Sequence, residues 1–113
     1  RNIIFETIND EYSKGKLGHL IVTMMNSNGY INATKLTEDV RLETGKCRTF
    51  NQWQRCTSSK ELIALVQEIK KCEPIIHIEN GEFSGDYLHP TLIIQFASWC
   101  SAKYACFVSD LFV

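Results

Sequence analysis

The stretch "NGYINATKL", residues Asn28–Leu36, packs a chain reversal, two apolar residues and a helix start into a few positions. Asn-Gly tolerates the positive φ values that a tight hairpin needs. Asn32 has the short acceptor side chain that suits a helix N-cap. Reading outward, His19–Met25 is rich in Leu, Ile, Val and Thr and short, so it is expected as a strand that turns at Asn26–Gly29 and returns through Tyr30-Ile31. A helix is expected from Asn32 to about Glu43, with Ala33, Leu36 and Val40 on one face and Gly45 in the left-handed position after it.

Further along, Thr49 and Gln52 have capping-box spacing and open a second, short helix. Ser58 and Glu61 repeat that spacing, and the helix expected there places Leu62, Leu65, Val66 and Ile69 on one side before Pro74. Ile75–Glu79, the turn Asn80-Gly81 and Tyr87-Leu88 read as a second hairpin. His89 reads as a turn or helix-cap residue, and Pro90 suits the first turn of a helix with a narrow polar stripe of Thr91, Gln95 and Ser98. Ser101 caps a last helix with Tyr104, Phe107, Val108, Leu111 and Phe112 on it. Upstream, Ile3-Ile4-Phe5 is expected as a strand and Ser13-Lys14-Gly15 as part of a loop. The result is one small α+β domain: hairpins, a helix-turn-helix-like pair and C-terminal helices.

Composition narrows the function classes. The chain has 113 residues, 44% of them hydrophobic, so a single domain with a real core is expected. No apolar run has membrane-spanning length. Five cysteines without a CxxC pair do not supply the close ligand spacing of a zinc site, so buried free thiols in a reducing cell are expected and no metal or cofactor. The histidines are isolated and no glycine-rich phosphate loop is present, which argues against catalysis. A start at Arg1 and a stop at Val113 inside an apolar stretch suggest a piece of a longer protein.

The net charge of −1 conceals an asymmetry. Residues 35–60 carry six basic and three acidic residues, whereas residues 61–113 carry three basic and seven acidic. A local basic region matters more to a phosphate backbone than the total does. On the short helix near Thr49, Phe50 and Trp53 fall on one side; Arg48, Asn51, Gln52 and Arg55 fall on the other, joined by Ser59 if the helix runs on. Arg pairs with guanine and Asn or Gln with adenine in the major groove. Lys35, Lys46 and Arg48 are expected near the turn between the helices, where they would hold phosphates, with Lys60 just beyond. The Ile75–Leu88 hairpin would act as a wing. Its tip, Glu79-Asn80-Gly81-Glu82, is acidic, so Asn80, Gly81 and the backbone are its expected contacts.

Several motifs occur together in order: Gly29–Leu36, Gly45-Lys46, Phe50 with Trp53 and Arg55, Ser58–Ile63, Gly85 with Tyr87, His89 and Pro90, and Ala97-Ser98-Trp99. In this the chain resembles the KilA-N domain of large DNA viruses and phages, related to the fungal APSES domain, over residues 19–113. The resemblance implies a winged-helix-like fold that binds DNA through its helical pair and hairpin, with Lys35, Lys46 and Arg55 as the basic positions that the pattern supplies. Poxvirus members often carry a downstream RING-type ubiquitin ligase domain, and the implied location is the host-cell cytoplasm at viral replication sites. Double-stranded DNA is the expected partner, with RNA and single-stranded DNA less favoured. The alternative is a protein-interaction or dimerisation module that uses the last helix, Tyr104 and Phe107 included, in a homodimer or beside a ligase domain.

Overall fold

Alternation along Tyr12–Leu17 buries Tyr12, Ser13, Gly15 and Leu17 and exposes Lys14 and Lys16, the period of a half-buried strand. The segment expected as a loop is therefore a strand; Gly15 and the lysines obscure its pattern, but cross-strand pairing on both sides holds it. The computed structural model describes residues 3–111. In chain order the elements are β1 (Ile3–Thr7), β2 (Tyr12–Leu17), β3 (Leu20–Met25), β4 (Ile31–Asn32), α1 (Ala33–Thr44), α2 (Phe50–Gln54), α3 (Thr57–Lys70), β5 (Ile75–Ile78), β6 (Gly85–Leu88), α4 (Pro90–Cys100) and α5 (Ala102–Asp110). The α+β class expected from the sequence is observed. The strands form one six-stranded antiparallel sheet in the order β1-β2-β3-β4-β6-β5.

The two-residue strand β4 splices the N-terminal meander to the later hairpin, pairing Met24 with Ile31 on one side and Ile31 with Leu88 and Asn32 with Tyr87 on the other. Leu17, Leu20, Val22, Met24, Ile31 and Leu88 join Leu36 and Val40 of α1 and Leu92, Ile93 and Phe96 of α4 in the main core. A second cluster gathers Tyr12, Tyr30 and Tyr87 with Phe83, whose ring stacks on Tyr12 at 4.3 Å. The Tyr30 hydroxyl donates to the Glu73 carbonyl at 2.7 Å and the Tyr87 hydroxyl to the Phe83 carbonyl at 2.7 Å, so both buried phenols are satisfied.

Asn32 joins the pieces. It is fully buried; its Oδ1 accepts from the Lys35 N–H at 2.9 Å, capping α1, and its Nδ2 donates to the Ser84 carbonyl at 3.0 Å. Gly85 sits against it with φ +138°, and a Cβ there would meet Asn32 Oδ1 at 2.5 Å. No other residue fits that approach without displacing the cap.

The helix ends mostly match their sequence signals. Gly45 has φ 75° and donates to the Arg41 carbonyl, Thr49 and Gln52 form the capping box, His89 caps α4 through its ring, and Ser101 caps α5. The Ser58/Glu61 signal does not operate. The helix starts one residue earlier, at Thr57, behind Cys56, which makes no side-chain cap bond. Of the apolar face expected on α3, Val66 is buried and Leu62 partly so against the core, whereas Leu65 and Ile69 are 50% and 65% exposed. On α5, Tyr104 is buried against Gly18, whereas Phe107 and Leu111 are exposed. Phe112 lies outside the described residues.

Two predictions follow from this packing. Gly85→Ala should cost about 2–4 kcal/mol, from the left-handed φ and the Asn32 clash together. Gly45→Ala, with φ +75° but nothing within 4 Å, should cost only about 1 kcal/mol. Urea denaturation of the two variants checks the order, and equal costs would contradict the Asn32 junction. The second concerns alkali. Burial pushes the Tyr30 and Tyr87 phenols from 10.0 to about 12, and the Cys100 thiol from 9.0 to about 12. The unfolded chain therefore loses these protons first, so their stabilisation is intact below pH 9 and is lost as pH rises toward 12. Thermal melts between pH 8 and 11 should show a falling midpoint, and a flat profile would contradict it.

Candidate nucleic-acid interface

The short helix α2 is held from both ends of its sequence. Phe50 and Trp53 are buried and meet the Phe96 ring edge-on at 5.8 and 5.6 Å. The capping box fixes the entry: the Thr49 N–H donates to Gln52 Oε1 at 3.0 Å and the Gln52 N–H to Thr49 Oγ1 at 3.2 Å. With one side anchored, Asn51, Gln52, Gln54 and Arg55 are exposed. Asn51 and Arg55 lie four residues apart and so share a face. Gln52 has its side chain folded back onto the cap, its amide oxygen accepting from the Thr49 N–H, which turns it away from the paired geometry that reading a base requires.

The expected basic residues do not form one cluster. Lys46 is exposed just past α1, and Lys60 is exposed on the first turn of α3. Lys35 sits in the first turn of α1, about 15 Å along the helix axis from Gly45. It lines a different hollow with Glu6, Lys14, Thr23, Glu82 and Phe83, so it does not face the interhelical turn. Arg48 is committed internally: its guanidinium stacks over the Trp99 ring at 4.8 Å and donates to the Trp99 carbonyl at 2.8 Å. Ser59, expected to join the reading face, is buried because the chain turns between α2 and α3.

One cation was not singled out from the sequence. Arg41, exposed in the last turn of α1, lines a depression of about 170 Å³ with Glu38, Cys47, Arg48 and Thr49. From the sequence it was counted only among the six basic residues of 35–60; its place in the last turn of α1 also complements the helix dipole. None of the ion pairs among the described residues involves Arg41, Lys46, Arg55 or Lys60. Glu43, the nearby carboxylate, lies instead 2.7 Å from His19 on the β2–β3 turn.

Between the helical pair and the hairpin runs a cleft of about 380 Å³. Thr34 and Thr37 of α1 and Thr49, Phe50 and Asn51 form one wall; His77, Glu79, Ser84 and Asp86 lie on the hairpin side. Thr34 Oγ1 accepts from the Asp86 N–H at 3.2 Å, and His77 Nδ1 lies 2.8 Å from Asp86 Oδ1. The acidic side chains lining this cleft are Glu79 and Asp86, beside His77, with no lysine or arginine among the lining residues. Asn80 projects at the exposed tip, beside Gly81 at φ +97°. No helix of the described residues is long and apolar enough to cross a membrane.

Comparison with known proteins places this geometry. The KilA-N domain model matches residues 15–113. The KilA-N domain-containing protein L4 of Acanthamoeba polyphaga mimivirus is 44% identical over 119 residues, covering 100% of this chain and 25% of that protein. Protein L33 of the same virus is 35% identical, covering 95% and 46%. Protein FPV236 of Fowlpox virus is 34% identical, covering 92% and 36%. The chain thus spans between a quarter and a half of the length of these relatives. No solved structure matches. With the family pattern spread over sheet, helical pair and hairpin alike, the chain belongs to the KilA-N domain family.

Proposed function

We propose that the domain is a non-enzymatic double-stranded DNA-binding module whose contact face is the outer side of α2 with the end of α1. The observation that carries this reading is α2 itself: a helix too short to be stable alone, locked by Phe50 and Trp53 so that Asn51 and Arg55 face solvent one turn apart. Arg41, Lys46, Arg55 and Lys60 supply phosphate contacts, and Asn51 reads a base edge. Family membership supports a nucleic-acid partner. The site of action that belongs to this proposal is the viral replication sites of the host-cell cytoplasm. Duplex DNA is favoured over RNA and single strands because the aromatic residues of α2 face the core and offer no stacking platform.

A second reading, contact with protein or with a second copy, is supported by the exposed Leu65 and Ile69 of α3 and Phe107 and Leu111 of α5. Tyr104 drops out of it as a surface residue. Replacing Leu65 and Ile69 by serine would leave DNA affinity unchanged if the first reading holds.

Titration with duplex DNA at two salt concentrations tests the proposal. Four phosphate contacts give a slope of log K against log salt of about −4. Arg55→Ala should weaken binding several-fold and reduce the slope by about 1. Arg48→Ala should chiefly lower stability, by about 1–3 kcal/mol, through loss of the Trp99 stack and hydrogen bond. Salt-independent binding, or an Arg55 variant that binds like wild type, would overturn the proposal.

A further inference from the structure

The cleft beside α2 poses a problem for any duplex that lies there. Its hairpin wall carries Glu79 and Asp86 and no lysine or arginine, so a phosphate inside it would face two carboxylates. A base edge meets a different balance. Cytosine presents its N4 amino donor in the major groove, and a carboxylate is the side chain suited to accept from it.

Asp86 is the better placed of the two. Its backbone is held to Thr34 of α1, and its carboxylate is gripped at Oδ1 by His77, which leaves Oδ2 as the remaining acceptor. The side chain is 26% exposed, enough to be reached and enclosed enough to be oriented. Asn51 lines the same cleft from α2. Two base-reading groups of different chemistry thus face one cleft, one from the helix and one from the hairpin, with Thr34, Thr37 and Thr49 as neutral polar lining between them.

We infer that Asp86 is a specificity-determining residue of this domain: its carboxylate accepts a hydrogen bond from a cytosine amino group in the major groove, and His77 positions it. This rests on the DNA-binding reading above and extends it from phosphate contact to base choice. It also gives the acidic hairpin a role that repulsion alone would deny it. A carboxylate that faces bases raises the cost of guanine O6 and N7 or thymine O4 at that position, because acceptor would meet acceptor.

Selection of bound sequences from a randomised duplex pool tests this, with the wild-type chain and Asp86→Asn in parallel. Wild type should enrich cytosine at one position. Asp86→Asn should lose that enrichment or shift it to adenine, which asparagine pairs with. A selected duplex in which that cytosine is replaced by N4-methylcytosine, which still pairs with guanine but carries a methyl group where the outward N–H stood, should bind wild type about fivefold more weakly. The analogue duplex decides the matter on the wild-type chain even if the variant fails to fold. Equal binding of the two duplexes, or an unchanged cytosine preference in a folded Asp86→Asn, overturns the inference while leaving DNA binding intact. Failure to bind any duplex overturns both.

Discussion

The structure depends on one buried side chain. Asn32 ends the smallest strand, starts the first helix and holds the hairpin by its amide, all with no exposed surface. A buried amide with its oxygen and nitrogen both engaged is stabilising, and removing either partner would leave an unsatisfied group costing about 1–3 kcal/mol. Because Gly85 leaves no gap against Asn32, the hairpin cannot drift relative to α1. The cleft between them is therefore a fixed feature of the fold.

That rigidity decides how charge is presented. The cations of the proposed contact face sit at the end of α1, at the end of α2 and at the start of α3, while the hairpin wall carries carboxylates. Two unit charges 4 Å apart interact by about 1 kcal/mol even in water and by about 4 near a protein surface. A hairpin of this sign cannot share the phosphate-holding work proposed for the helices. The division of labour proposed above, cations to the backbone and amide and carboxylate to the bases, is the arrangement these magnitudes permit.

Much of the fold was legible because local signals carried it. Asn32, Gly45, the Thr49/Gln52 pair, His89 with Pro90, and Ser101 each end or start a helix by chemistry confined to a few residues. What escaped were properties of distant pairs. The return strand at Tyr30-Ile31 was legible from the turn before it, but a two-residue strand has no periodicity that names a second partner, so its pairing with β6 was not. Arg48 reads as a surface cation until Trp99, 51 positions away, is brought beneath it. Lys35 was placed near the interhelical turn by sequence proximity, whereas α1 carries it to the opposite end. The apolar face of α3 was legible as a face, but not that Leu65 and Ile69 on it stay exposed, since periodicity reports a face and not its partner.

The most direct test is a backbone amide NMR titration with duplex DNA. The account predicts shifts concentrated at Arg41, Lys46, Asn51 and Arg55 and on the hairpin residues that line the cleft. Shifts confined to the Leu65 and Ile69 face of α3 or to Phe107, with α2 unperturbed, would contradict it.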